Sequence, residues 1–235
     1  MNLKRVVVTG SGSLTPIGNT VPEYWDSLIK GVSGAALITK FNPEKHKTKF
    51  ACELKGFNVE SFIEKKEARK MDPFTQYAVV VADEAIKDAK ITADLDHDRI
   101  GVIWGAGIGG LKTFEDEVKA FAAGDGTPRF NPFFIPKMII DISAGYISIR
   151  NGFRGPNFST VSACASSSNA ILDAFNYIRL NKANIIVAGG SEAAIVESGI
   201  GGFNACRALS ERNDDPATAS RPFDRDRDGF VMGEG

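Results

Sequence analysis

Apolar runs at Lys4–Thr9 (KRVVVT), Arg99–Trp104 and Asn184–Gly190 (NIIVAGG) are continuous rather than alternating. A strand of that kind needs cover on both faces, which a parallel sheet flanked by helices provides. Helical periodicity fills the intervals. Thr20 and Glu23 form a capping box for a helix that carries Tyr24, Trp25, Leu28 and Ile29 and stops at Gly31. Asp72 caps a second helix with Pro73 in its first turn. Its apolar face is Phe74, Tyr77, Ala78, Val81, Ala82, Ala85, Ile86 and Ala89. Further helices are expected over Leu111–Ala122 and, as one element, over Ile135–Ile149 with Asn151-Gly152 as the stop. Lys40–Lys70 reads as charged and mostly irregular, and Gly124–Phe134 as loop. The alternation predicts an α/β fold around a mostly parallel sheet, in one domain over residues 1–235.

Within that frame, Asn157–Ile171 (NFSTVSACASSSNAI) carries the chemistry. A strand over Phe158–Val161 gives way to small residues around Cys164. A helix with Ala170, Ile171, Ala174, Phe175 and Ile178 follows. A thiol at a strand-to-helix junction has the geometry of a nucleophile elbow, and unpaired N–H groups at a helix start favour a thiolate. The alternative is a small buried cysteine packed at a helix start.

Other motifs are weaker. Gly105–Gly110 (GAGIGG) satisfies G-x-G-x-x-G after a strand, yet its helix runs into loop chemistry instead of the second strand that dinucleotide binding requires. A tight glycine turn where backbone or substrate passes closely is the plainer reading. Asp224–Gly229 (DRDRDG) opens like a calcium loop, but its twelfth position is Gly235 and arginines interleave, so a knot of paired Asp and Arg is expected. Lys65, Lys66, Arg69 and Lys70 form a basic cluster, read either as a solvated face or as a docking patch for an acidic partner. His46 and His97 lie in charged, loop-like segments, and neither looks like a general base for Cys164.

With a formal net charge of −1, the chain lacks the basic excess of a dedicated nucleic-acid binder. The 3 cysteines have no metal-ligand spacing and fit reduced thiols in a cytoplasmic compartment. No window has membrane-spanning length, and no signal peptide is visible. A strand is expected to start at Phe230–Met232. It would be cut short at Gly235, so the sequence reads as a fragment of a longer polypeptide.

Together the motifs resemble the β-ketoacyl-acyl-carrier-protein synthases, and within them the synthase II type of bacterial fatty-acid elongation. The matching stretches, in family order, are VVVTGSGSLTPIGN, RKMDPF, GAGIGG, NPFFIP, RGPNFSTVSACASS, IIVAGGSEA, GGFNACRALS and SRPFDRDRDGFVMGEG. The resemblance implies a thiolase-like layered αβαβα fold with a mixed, mostly parallel sheet, usually in a homodimer. This chain would be the first of two similar halves.

Residue by residue, the resemblance implies that Cys164 accepts the acyl chain, with its own backbone N–H as an oxyanion donor. Ile108 would be a gate beside the acyl pocket, Phe203 a wall residue, and Phe134 a residue reaching toward the partner subunit's pocket. Lys66, Arg69, Lys70 and Arg207 would face the acidic carrier protein. Two catalytic histidines, a lysine and the second oxyanion donor would lie beyond Gly235. No cofactor or metal is implied, because phosphopantetheine arrives on the acyl carrier protein that brings acyl and malonyl groups. The implied reaction is decarboxylative condensation of a cysteine-bound acyl chain with malonyl-carrier protein. A non-catalytic polyketide-type subunit is the rival reading, and the presence of Cys164 argues against it. An oxidoreductase built on Gly105–Gly110 is a third.

Overall fold

A computed structural model describes residues 3–235. In chain order its elements are α1 (Val21–Ile29), β1 (Ala36–Leu37), β2 (Phe50–Ala51), α2 (Lys65–Ala68), α3 (Pro73–Asp88), β3 (Ile100–Gly105) and α4 (Leu111–Ala122). There follow α5 (Phe134–Met138), α6 (Ile142–Asn151), β4 (Asn157–Thr160), α7 (Ser166–Arg179), β5 (Ile185–Gly190) and α8 (Glu197–Ala205). The chain forms two compact units, each assembled from separated stretches. One comprises residues 1–12, 58–110 and 131–192, and the other residues 13–57, 111–130 and 193–235.

The first unit is built on a parallel sheet of order β4-β3-β5, with Ile103 opposite Phe158 on one side and Ala188 on the other. Every residue of β3 is buried, as its unbroken apolar run demands. Successive side chains of a strand point to opposite faces. Ile103 packs under α7 against Ala170 and Ala174. Trp104, the next residue, sends its indole N–H to Ser191 Oγ (2.9 Å), which donates in turn to the Phe74 carbonyl of α3 (2.7 Å). The sheet is therefore covered on both sides, an α/β arrangement. The large helical residues of α7 stay outside that core: Ile171, Leu172 and Phe175 are exposed, while the small Ala170 and Ala174 make the contact.

The caps behave as local chemistry dictates. Thr20 accepts the Glu23 N–H at the start of α1, although the Glu23 carboxylate reaches Asn19 N–H (2.8 Å) rather than the cap residue itself. Asp72 is fully buried and accepts the Phe74 N–H (3.2 Å) at the start of α3. Asp72→Ala is expected to lower stability by about 1–2 kcal/mol, the usual cost of a lost N-cap, with Asp72→Asn largely restoring it. Urea unfolding reads this directly; equal midpoints for the alanine variant and the parent would contradict the capping role. Gly152 ends α6 at φ +66°, the left-handed cap glycine adopts without strain.

Several sequence expectations change. Lys4–Thr9 is not a strand: Val7 and Val8 are exposed, and the Lys4 N–H bonds to the Arg179 carbonyl (3.0 Å). Strand propensity needs a neighbouring ladder, and none of the described residues supplies one here. Ile135–Ile149 is two helices, broken at Ile139, whose ψ of 140° is extended. The break frees the Met138 carbonyl for the Gly110 N–H (3.2 Å), an acceptor that a continuous helix would have used internally. Phe230–Met232 is not a strand: Phe230 makes an isolated bridge with Leu209, and Gly233, just beyond the segment, makes one with Cys52.

In the second unit, Ile38, Ala51, Ala194, Ile195, Ile200, Leu209 and Met232 form the core, with Phe41, Leu111 and Phe203 packed against it. A buried polar set ties it together: Thr48 Oγ1 donates to the Ser210 carbonyl (2.8 Å) and accepts from Asn204 Nδ2 (2.8 Å). The Asp-Arg stretch folds as a knot. Arg212 meets Asp228 (3.5 Å), Arg221 meets Asp224 (3.3 Å), and the Asp224 side chain also accepts the Asp226 N–H (2.7 Å). These carboxylates are engaged by guanidinium and backbone groups, whose hydrogen bonds hold Asp224 below the usual carboxylate range. No calcium-loop geometry results.

Candidate active site

Beyond β4, Val161 and Ser162 lead into a single 3₁₀ turn, Ala163–Ala165, before α7 begins at Ser166. Ala163 takes φ +51°, a left-handed conformation that costs a non-glycine residue roughly 1–2 kcal/mol. Hydrogen bonds hold that strain in place. Ser166 Oγ donates to the Ala163 carbonyl (2.7 Å) and accepts the Ser162 N–H (2.9 Å). Thr160 Oγ1 donates to the Ser166 carbonyl (2.7 Å), and Asn169 Nδ2 to Ser162 Oγ (2.6 Å). Cys164 sits at the tip of this elbow and is exposed. Within this chain it is not the small buried cysteine of the alternative reading.

The sheet is shaped to receive the elbow. A Cβ on Gly105, the last residue of β3, would lie 2.4 Å from the Ser166 carbonyl carbon. One on Gly190, the last of β5, would lie 2.5 Å from Ser167 Cβ. Glycine at both strand ends lets the first turn of α7 rest directly on the sheet. Cys52 has a different environment: it is half-buried, and burial pushes its thiol up despite the opposing pull of Lys55. A raised thiol pKa means less thiolate, so Cys52 is a poor nucleophile.

The glycine turn after β3 does hold an anion, but one supplied by the protein. Glu192, two residues past β5, accepts the N–H groups of Gly107 (2.7 Å) and Ile108 (2.9 Å) through Oε2, and that of Gly109 (2.9 Å) through Oε1. Charge-assisted bonds of this kind contribute about 1.5–3 kcal/mol each. The three N–H groups that a dinucleotide pyrophosphate would need are taken by a carboxylate, which argues against the oxidoreductase reading. The turn also abuts the elbow: a Cβ on Gly107 would lie 3.3 Å from the Ala163 carbonyl oxygen.

Among the residues singled out from sequence, Cys164, Ile108 and Phe134 fall in the same unit. Ile108 has its N–H held by Glu192 and is 40% exposed. Phe134 is half-buried at the start of α5, the helix whose Met138 carbonyl bonds to Gly110. Phe203 belongs to the other unit, where its ring meets Phe230 edge-on at 5.4 Å. Arg207 lies there too, exposed just after α8. Lys66 and Arg69 are exposed on and beside α2, whereas Lys65 pairs with Glu60 (3.0 Å) and Lys70 with Glu67 (2.7 Å). The Glu67 carboxylate beside Lys70 holds its ammonium above the usual lysine range. His97 is structural, its ring nitrogens lying 3.2 Å from the Gly152 carbonyl and 3.4 Å from that of Thr92. His46 stacks obliquely on Phe41.

Sequence reading missed Glu192, and it took Ser166 only as a small residue that leaves room for backbone and substrate, not as the clamp on Ala163. Both follow signals that were visible: an acid just past a strand end, and a serine inside a run of small residues. Neither signal says which distant backbone the side chain will meet.

An exposed cysteine thus sits on a strained strand-to-helix elbow, set on the ends of a parallel sheet between helical layers. The chain belongs to the β-ketoacyl synthase family: residues 3–235 match the model of the β-ketoacyl synthase N-terminal domain. The 3-oxoacyl-[acyl-carrier-protein] synthase 2 of a Synechocystis species is 49% identical over 233 residues, which cover 99% of this chain and 56% of that protein. The chain thus spans about half the length of the curated relatives it matches. A β-ketoacyl synthase from Burkholderia phymatum superposes with a TM-score of 0.85 at 30% identity, covering 98% of this chain and 57% of the other. A type II polyketide acyl-carrier protein in complex with its ketosynthase, bound to the hexaketide, gives a TM-score of 0.76 at 25% identity, with 88% and 57% covered.

Proposed function

We propose that the chain is the nucleophile-bearing half of a 3-oxoacyl-[acyl-carrier-protein] synthase that elongates fatty acids. The observation that carries this reading is the exposed Cys164 on the strained Ala163 elbow, clamped by Ser166. In the first stage the Cys164 thiolate adds to the thioester carbonyl of an acyl-carrier protein. The tetrahedral oxyanion collapses, the carbon–sulfur bond to pantetheine breaks, and the released thiolate takes up a proton. Capture of the acyl group splits a difficult carbon–carbon bond formation into easier steps. In the second stage malonyl-carrier protein loses CO₂, and the resulting carbanion attacks the acyl-Cys164 carbonyl, returning the thiol. Backbone donors at the elbow, the Cys164 N–H first among them, stabilise the oxyanion. The two histidines and the lysine of condensation belong to the rest of the full-length protein.

Ile108 gates the acyl pocket, Phe203 forms its wall, and Phe134 reaches toward the pocket of a second subunit in a homodimer. Phosphopantetheine comes on the carrier protein, and no resident cofactor or metal is used. Free thiols at Cys52, Cys164 and Cys206 suit a cytoplasmic location. No helix among the described residues is long and apolar enough to cross a membrane.

Lys66, Arg69, Lys70 and Arg207 dock the acidic carrier protein. Lys66, Arg69 and Arg207 are the most available of these, because all three are exposed and none has an ion-pair partner among the described residues, whereas Lys70 is paired with Glu67. Charge reversal at Lys66 or Arg69 in the full-length protein is expected to weaken carrier binding by about 1 kcal/mol or more, the effect shrinking as salt rises. Titration calorimetry at two ionic strengths tests this, and unchanged affinity would defeat it. The enzyme assignment itself is tested by acyl-thioester labelling of the full-length protein, with peptide mass spectrometry locating the acyl group.

A further inference from the structure

The clamp on the glycine turn has no part in the acyl-transfer steps above, yet its geometry is unusually complete. A single carboxylate, Glu192, takes three successive backbone N–H groups, and the middle one belongs to Ile108. The base of the clamp is itself anchored. Its neighbour Ser191 donates its N–H to the Gly105 carbonyl (3.1 Å), accepts from the Trp104 indole (2.9 Å) and donates its hydroxyl to the Phe74 carbonyl (2.7 Å). On its far side the turn is held by the Gly110 N–H bond to Met138 and by Ile140, which fills the space a Gly109 side chain would need. Its inner side meets the Ala163 carbonyl, one residue before Cys164. The backbone of Ile108 is thus fixed from several directions, while the residue stays 40% exposed.

We infer that Glu192 is a positioning residue for acyl-chain selection: it fixes the pivot from which the Ile108 side chain swings beside the Cys164 elbow. This inference rests on the acyl-transfer reading of Cys164. A carboxylate suits the task because its two oxygens can accept three converging N–H bonds, which one neutral amide oxygen does poorly. If the clamp is loosened, the turn drifts, and the path for a long chain is lost before the thiol itself is disturbed.

The test uses the full-length protein with Glu192→Ala and the near-isosteric Glu192→Gln. Acylation of Cys164 is timed with a short and a long acyl-pantetheine thioester, and alkylation of the same thiol by iodoacetamide serves as a reagent that needs no acyl pocket. The expected result for Glu192→Ala is a loss of long-chain acylation of about tenfold or more, a scale typical of a displaced positioning group. Short-chain acylation and iodoacetamide alkylation should change by less than about threefold, within the spread of uniform effects. Glu192→Gln, which keeps one acceptor oxygen, should recover part of the long-chain rate. Equal loss for both acyl chains and for alkylation would mean that Glu192 merely supports the fold, and the inference would be wrong. No change in either variant would overturn it as well. If the parent protein acylates Cys164 normally, such failures count against this inference and leave the acyl-transfer reading of Cys164 standing. A parent that is not acylated at Cys164 removes the functional reading, and this inference with it.

Discussion

Cys164→Ala in the full-length protein is expected to abolish acyl transfer, with labelling by an acyl thioester falling about a thousandfold or more, as when a covalent nucleophile is removed. The other thiols serve as internal controls. Cys52 is half-buried with its thiol pushed up by that burial, so it should stay unlabelled in both proteins. Cys206 is exposed, as Cys164 is, but it lies at the end of α8 and not on a strand-to-helix elbow. Acyl groups found on Cys52 or Cys206 by peptide mass spectrometry would sink the assignment. The fold should survive the substitution, because Cys164 is exposed in this chain and the elbow is tied by Ser166, Thr160 and Asn169.

The second large effect comes from a residue with no side chain. Gly105→Ala would put a Cβ 2.4 Å from the Ser166 carbonyl carbon, 2.5 Å from its oxygen and 2.7 Å from the Ser167 nitrogen. All three are backbone atoms, so no rotamer change relieves the overlap, and the first turn of α7 has to move. The expected cost is about 3 kcal/mol, the upper end for overpacking a filled interior. Any protein that folds should acylate Cys164 about a hundredfold more slowly, since the elbow moves with the helix. Gly145→Ala is the matched control: a Cβ there meets nothing within 4 Å, and the position lies inside α6. It should be neutral or stabilising by up to about 1 kcal/mol through helix propensity. Chemical denaturation of both variants decides the point, and equal stabilities would contradict the tight seating of α7 on the sheet.

Local physics explains which features were legible beforehand. Thr20, Asp72 and Gly152 mark helix ends because capping is settled within a few residues. The continuous apolar run of β3 announced a strand buried on both faces. Cys164 among small residues at a period change announced the elbow. The readings that failed share a cause, namely dependence on a distant partner. Val6–Val8 has strand composition but no adjoining ladder among the described residues. The break at Ile139 serves Gly110, which the helix-forming pattern of Ile135–Ile149 does not encode.

By itself, then, the sequence determined the periodicity, the caps, the cysteine at the junction and the family motifs around it, because each of these is written within a short window. Tertiary structure alone decided the left-handed Ala163 and its lock by Ser166. It also decided the seating of α7 on Gly105 and Gly190, and the carboxylate of Glu192 in the glycine turn some 84 residues away in sequence. The physical reason is the same throughout. Converging N–H groups must find an acceptor once they are turned away from water, and which acceptor reaches them depends on how strand ends meet in space.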